Sequence, residues 1–563
     1  MKACPAGSPP RKATTARTRC SKRSGAASKN NPSTEEGRFC GTAFFMEETM
    51  LKKLFSVFAA MVFAVVTLPA AEARLRPVGP ELSKLEWKPA GGYSRIETVD
   101  GRSVLVTDVP KDKASGHHWF ERELDLKPYR GRTITFFVRY RCTDVSKPPQ
   151  PYNGVKFMLA YKPGPEAPMQ WPGSNGAFGS TDGWQPLAFN VTFRDTAETG
   201  VLSLGLQDSS GRIEFDLDSL QAGILFSPED RVNLDYKVKY PERIANHRRQ
   251  RGVMSPGTIR PEDLKTLKEW NVNLIRAQQT RNWGAIGTEV DLAEYDQWLN
   301  GKLDNLEKAM DQAKEYDIKF VIDLHTPPGG KISSSNMRMF FEKKYADHFI
   351  EVWRRIAKRF KDHPQLYAYD LVNEPVQAMP APYDYWNLQR MAAEAIREID
   401  PDTPIMIESN ESDRPQTYPY LSPLAMDNII YKVHMYFPLT YTHQRLRGEG
   451  PSSVYPGVLE GEKWDKEKIR ETLQPVRDFQ LRHNAEIYVG EFSAIAWAPG
   501  AEKYINDCIE IFEEYGWDWT YHAFREWSGW SVEHEGTNPS DLKPAKEDTP
   551  RKKVLLKYFS RNR

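Results

Sequence analysis

Cysteine is scarce in this chain: five in 563 residues, at positions 4, 20, 40, 142 and 508. They are too few and too scattered for a disulfide framework. There is no C-x-x-C pair and no histidine-rich cluster, so neither a structural zinc nor any other metal or cofactor is expected. Net charge is missing too. Lys and Arg number 77 against 76 Asp and Glu, a formal +1, which argues against nucleic acid or an anionic membrane surface chosen by bulk charge. No phosphate-cradling glycine-rich turn opens the strand and helix alternation of the second half, so a dinucleotide-binding doubly wound sheet is not indicated. Aromatics are the abundant class, 12% of the chain with 15 Trp and 25 Tyr. They suit surfaces that stack on flat neutral ligands as well as cores. The length predicts two or three domains, each able to bury a core.

Residues 1–49 are rich in Ser, Thr, Gly, Ala and Pro and carry nine Lys/Arg against four Asp/Glu. Such a segment cannot build a core and reads as disordered or as an over-extended start. Residues 50–73 follow the pattern of a secretory signal peptide: Met50-Leu51-Lys52-Lys53, an apolar run to Leu68, and the exit Ala71-Glu72-Ala73. A single membrane anchor is the competing reading, since the run nears the length of a spanning helix. The signal reading predicts a secreted or periplasmic protein, free of the membrane after cleavage, with a mature start near Arg74.

Residues 74–230 show short β-branched or aromatic runs at 133–141, 155–161, 187–193 and 201–206, separated by turn residues. That pattern predicts an all-β, jelly-roll-like sandwich. Its closing stretch, 211–220, is similar to the last strand of carbohydrate-binding modules, and Trp119, Trp171 and Trp184 are candidates for a sugar platform. No catalytic constellation stands out there.

Residues 231–563 change to alternating strands and helices after a polar link at 228–247. Apolar strands are predicted at 252–254, 272–276, 320–324, 366–372, 405–407, 429–433, 487–489 and 517–523, with amphipathic helices between them. Eight strands with helical crossovers predict a (β/α)8 TIM barrel, in which chemistry belongs at the C-terminal strand ends.

Those ends carry an informative set. Glu374 closes the fourth strand in Asn373-Glu374-Pro375, and Glu491 closes the seventh in Gly490-Glu491-Phe492. A carboxylate ending an apolar strand is poorly solvated by its surroundings, so partners or catalysis must account for it. Two facing glutamates are the minimum for glycosidic bond hydrolysis. Arg276 ends the second strand, His325 the third, His434 and Tyr436 the sixth, and Trp527 follows the eighth.

This ordered set resembles glycoside hydrolase family five, the cellulase-type retaining β-glycosidases, over about residues 250–560. The resemblance implies Glu374 as acid/base and Glu491 as nucleophile. It further implies Asn373 on the sugar 2-hydroxyl, Arg276 and Tyr436 holding Glu491, His325 and His434 on the sugar or the glutamates, and Trp527 stacking beneath the sugar. Met254 departs from the pattern, standing where many members have Asn, which questions the support of His325. Asp323 to Gly329 is similar to the β-glucan-cleaving members, which implies a β-glucan polysaccharide or oligosaccharide substrate and an endoglucanase-like enzyme; a monomer is expected. An exo-acting β-glucosidase, a β-mannanase, or a non-catalytic carbohydrate-binding barrel are the alternatives. Trp283, Trp298, Trp497 and Trp530 are further candidates for stacking on sugar.

Overall fold

The computed structural model describes residues 75–562 except 151, 166, 175–176, 242–248, 256 and 447–451. The start expected to be disordered or over-extended, 1–49, and the expected signal segment, 50–73, therefore lie outside the described residues. The N-terminal part is two antiparallel sheets. One orders Ser94–Val99, Arg102–Val109, Gly211–Ile224, Thr133–Thr143 and Gln185–Thr192, with Arg76–Pro77 on the far end of the long strand. The other orders Lys88–Ala90, His117–Asp125, Thr199–Gln207, Gly154–Tyr161 and Gly173–Ser174. Alternate residues of both, among them Phe120, Phe136, Phe157, Phe189 and Leu204, form the core between the sheets.

Eight parallel strands then close a barrel: β1 (Arg251–Ser255), β2 (Leu274–Gln278), β3 (Lys319–Asp323), β4 (Leu366–Asp370), β5 (Ile405–Glu408), β6 (Ile429–Met435), β7 (Glu486–Phe492) and β8 (Asp518–Tyr521). Each is the strand expected from its apolar run. Six outer helices match the amphipathic stretches: α1 (Pro261–Glu269), α2 (Leu292–Ala313), α3 (Lys343–Phe360), α4 (Tyr385–Arg397), α5 (Lys466–His483) and α6 (Ala501–Tyr515); α7 (Pro550–Phe559) ends the chain. Asp291, Asp384 and Asp465 cap α2, α4 and α5 by accepting two backbone N–H groups each. Between β5 and β6 the connection is instead a 3-10 turn, Pro415–Tyr420, with Pro at both ends of its first five residues. Proline cannot donate the N–H a longer helix needs.

Strand alternation splits the barrel into two cores. Ile275, Ile322, Tyr369, Ile407 and Val489 face outward to the helices. Leu274, Val321, Ala368, Met406, Ile430 and Tyr488 fill the barrel interior.

The described part of the predicted polar link, 228–241, is bonded along the barrel. Val238 is buried and its N–H donates to the His483 carbonyl, while the Tyr240 hydroxyl donates to the Ile429 carbonyl at 2.6 Å. Sandwich and barrel share a small apolar cluster of Leu75, Phe137 and Met379. Beside it a crevice of about 800 Å³ is lined by Asn190, Gln377, Ser412 and Tyr420, among others. All described residues fall in one compact unit, 68–563. No helix among the described residues is long and apolar enough to cross a membrane.

Candidate active site

Two residues beyond the apolar interior layer, the same inward face turns polar. Arg276, Asp323, Asp370, Glu408 and Lys432 each follow an interior apolar residue of β2, β3, β4, β5 and β6 by two positions, and all five are fully buried. Charges there are stable only if mutually paired. Arg276 Nε donates to Asp370 Oδ2 at 2.8 Å, and its Nη2 lies 3.0 Å from Asp323 Oδ2. Lys432 Nζ donates to both Asp370 oxygens, at 3.0 and 2.8 Å, and pairs with Glu408. Burial opposes the charge on Arg276 and Lys432, but the surrounding carboxylates outweigh it and hold both more firmly protonated than usual. Glu408 goes the other way: burial pushes its carboxyl well up despite Lys432, with Asp413 and Asp370 adding to the rise.

Glu491 sits on this layer through a local irregularity. The β6–β7 register shifts so that Val433 pairs Val489 but His434 pairs Glu491, leaving Gly490 as the extra residue. A Cβ on Gly490 would stand 2.6 Å from Lys432 Cδ and 3.1 Å from His434 Nε2. Glycine is required by this close approach, and the extra residue brings Glu491 to the inward face. Its Oε1 accepts from Arg276 Nη1 at 2.6 Å, and its Oε2 from the Tyr436 hydroxyl at 2.9 Å. Burial opposes its ionisation, yet His434, His522, Arg276 and His325 together hold the carboxyl well below the usual carboxylate range.

Glu374 follows β4 with φ +49°, a left-handed backbone uncommon outside glycine. Its N–H donates to Glu408 Oε2 at 2.7 Å, and its Oε1 lies 3.1 Å from His434 Nδ1. Burial pushes the His434 imidazole below its ordinary value, toward the neutral form. One carboxylate oxygen of Glu374, one of Glu491 and a ring nitrogen of His434 all lie within 4.8 Å of one another. A cation there would have to share Glu491 with the Arg276 guanidinium, so the set is a poor metal site.

His325 and Asn373 complete the set. Asp323 Oδ2 accepts from His325 Nδ1 at 2.9 Å, which leaves Nε2 as the acceptor for Asn373 Nδ2 at 3.2 Å. Asn373 Oδ1 takes Arg276 Nη2 at 2.7 Å. Met254 lies with its sulfur 3.5 Å from Arg276 Nη1, and His325 is held by Asp323. The structure thus joins Arg276, His325, Asn373, Glu374, His434, Tyr436 and Glu491 in one hydrogen-bonded constellation.

Trp527 stands apart on the loop after β8, 41% exposed, with its ring edge-on to Trp497 and Trp530. Trp283 is also open to solvent and meets His325 edge-on, while Trp497 and Trp530 are buried and Trp298 is half-buried under Arg281. Of the three candidate tryptophans on the sandwich, Trp171 is well exposed, Trp119 is buried, and Trp184 lies half-buried under Arg141. The residue directly after β8 that reaches the centre is His522, its Nδ1 2.8 Å from the Tyr436 hydroxyl and its Nε2 2.9 Å from Glu526 Oε2. Sequence reasoning missed His522, and it also missed the roles of Asp323, Asp370, Glu408 and Lys432. The signal for the latter was a charge at the inward period-two position of an otherwise apolar strand, plainest at Lys432.

Curated relatives share this part of the chain. Endoglucanase C of Acetivibrio thermocellus is 27% identical over 295 residues, 47% of this chain and 84% of that protein. Cellodextrinase A of Ruminococcus flavefaciens is 22% identical over 282 residues, 48% of this chain and 80% of that protein. Among solved structures, a glycoside hydrolase at 22% identity covers 55% of this chain and 99% of its own, with a TM-score of 0.45. The family model for cellulase, glycosyl hydrolase family 5, matches residues 247–528, half of the sequence and the whole span of strands that carries the constellation. With that match, the chain belongs to the cellulase family, glycosyl hydrolase family 5, and is a glycoside hydrolase.

Proposed function

We propose that the protein cleaves a β-glucan with retention of configuration, with Glu491 as nucleophile and Glu374 as acid/base. The observation that carries this reading is the close approach of the two carboxylates, within 4.8 Å at their near oxygens. Retaining enzymes need about 5 to 5.5 Å between carboxyl groups, whereas inverting ones need roughly 6.5 to 9.5 Å to admit a water. The electrostatics separate the roles. Glu491, held ionised with the Arg276 guanidinium and the His522 imidazole nearby, is suited to attack the anomeric carbon. Glu374, more open and with His434, pushed toward its neutral form, as its side-chain partner, is suited to pass a proton to the departing oxygen.

In the first step a Glu491 oxygen forms a bond to the anomeric carbon as the glycosidic C–O bond breaks and Glu374 protonates the leaving oxygen. In the second, Glu374 takes a proton from water, the water oxygen bonds to the same carbon, and the Glu491 ester bond breaks. Asn373, oriented by Arg276 and His325, offers its remaining N–H to the sugar 2-hydroxyl. Exposed Trp283 and Trp527 offer faces for flanking sugars. The β-glucan assignment rests on the relatives, one an endoglucanase and one a cellodextrinase by name. Residues 50–73 carry the charged, apolar and small-residue order of an export signal, which supports a secreted or periplasmic enzyme. The sandwich supports the barrel, and exposed Trp171 offers it a ring face for a glycan.

A panel of cellulose, mixed-linkage glucan, mannan and xylan, with the anomer of the first product followed by NMR, tests the reading. A β-anomer released first from a β-glucan is expected. An α-anomer released first would overturn retention, and cleavage of mannan or xylan alone would overturn the substrate class.

A further inference from the structure

The Tyr436 hydroxyl has one proton and two close neighbours, Glu491 Oε2 at 2.9 Å and His522 Nδ1 at 2.8 Å. His522 Nε2 in turn meets Glu526 Oε2 at 2.9 Å. Taking Glu491 as the nucleophile, as proposed above, we propose that His522, paired with Glu526, is a positioning residue that keeps the Tyr436 proton directed at Glu491.

Proton counting gives the reason. An imidazolium has two N–H donors: Nε2–H goes to Glu526, Nδ1–H goes to the Tyr436 oxygen, and the phenolic proton is left for Glu491. A neutral His522 breaks this chain either way. With its proton on Nε2, the bare Nδ1 competes with Glu491 for the phenolic proton. With its proton on Nδ1, the Nε2 lone pair faces the Glu526 carboxylate. Only the charged ring satisfies all three contacts.

The surroundings of His522 favour that state. From its own loop comes Glu526, from β7 Glu491, from β2 Arg276, and from the segment after β6 Tyr436 and His443; Trp530 covers the ring at 5.4 Å between centroids. Burial and Arg276 disfavour the charge, but Glu526 and Glu491 outweigh them and raise the imidazole above its ordinary value. His443, pushed down to about 4 by burial and by His522, contributes no charge near neutrality. Neither His522 nor Glu526 carries out a bond change. Their effect passes through Tyr436 to the carboxylate that does.

The test is the pH dependence of kcat/KM on 2,4-dinitrophenyl β-cellobioside, whose leaving group departs without a proton, so that titration of Glu374 does not set the rate of the first step. Wild type is expected to show a basic limb on this substrate. Glu526→Gln should move it down by about one unit, since an opposite charge at this range shifts a pKa by one or more, and so lower alkaline kcat/KM about ten-fold. His522→Asn, which places an amide N–H where Nδ1–H stood and cannot titrate, should lose the limb. Coincident limbs in wild type and Glu526→Gln, no basic limb in wild type, or a limb that survives His522→Asn would each overturn the proposal. Trapping with a 2-fluoro cellobioside separates the two levels. Label on Glu491 with an unmoved limb overturns the role of His522 alone, whereas label on another residue overturns the reading of Glu491 and this proposal with it.

Discussion

Glu408 Oε2 accepts the backbone N–H of Glu374 at 2.7 Å, so a carboxyl buried at the end of β5 fixes the main chain of a residue held at φ +49° after β4. A left-handed non-glycine backbone costs of order 1–3 kcal/mol and persists only where its surroundings over-determine it. Here those surroundings are Glu408, Lys432 behind it, and the Ser412 N–H donating to the Pro375 carbonyl at 3.2 Å.

Replacing Glu408 therefore acts on Glu374 without touching the sugar. Glu408→Gln keeps an oxygen for the Glu374 N–H but turns an amide toward Lys432, and kcat should fall about 10- to 100-fold with KM little changed, the cost of an acid displaced by about an ångström. Glu408→Ala also strips a partner from buried Lys432 and should destabilise by about 3 kcal/mol, the lower end for a broken buried pair because Asp370 remains. Steady-state kinetics and urea unfolding read the two effects. Unchanged kcat in both variants would show that Glu408 does not hold the Glu374 backbone in place.

Much of this site is legible in the amino-acid sequence alone, and the reason is local. Glu374 and Glu491 end runs of apolar residues, and a carboxylate in that position stands out in any barrel. The layer beneath them is harder to see. Asp370 lies within the apolar run of the fourth strand and Lys432 within Ile429–Met435, but which strand face points inward depends on closure of the barrel, and each charge finds its partner on a different strand. His522 was obscured by Trp527, an aromatic that fitted the expected order of residues although it lies on the loop beyond. In the sandwich, Ser94–Val99 and His117–Asp125 were missed because charged residues interrupt their apolar periods, and only sheet pairing reveals them.

His443 predicts a pH dependence of stability. Burial, reinforced by the His522 charge, lowers its folded value from 6.5 to about 4. The folded state thus binds fewer protons than the unfolded state between those limits, and stability falls as pH drops from about 6.5 toward 4. At pH 4.5 this one group should cost about 2 to 3 kcal/mol relative to pH 7. His443→Asn, which can still meet the Thr442 hydroxyl that lies 2.9 Å from Nδ1, should lose that much less on acidification. Urea unfolding of both proteins at pH 7 and 4.5 gives the comparison, and parallel losses would mean the ring titrates normally in the folded state.

The two glutamates should separate on substrates that differ in leaving group. In Glu491→Ala no glycosyl ester can form, so turnover should vanish on every substrate, while azide, entering the space the carboxylate leaves, should restore cleavage of an activated aryl glycoside. Glu374→Ala retains the nucleophile with its Arg276 and Tyr436 donors at 2.6 and 2.9 Å. The first step should then survive wherever the leaving group needs no proton, and fall by about 10² to 10⁴ where it does. The second step lacks its base in either case, so the ester on Glu491 should accumulate as a burst of aryl alcohol. Intact-mass and peptide analysis of that variant after mixing should find the sugar on Glu491. Equal loss of aryl-glycoside cleavage in both variants with no burst would mean that Glu374 does more than move a proton, since removing an acid alone cannot slow a step that needs none.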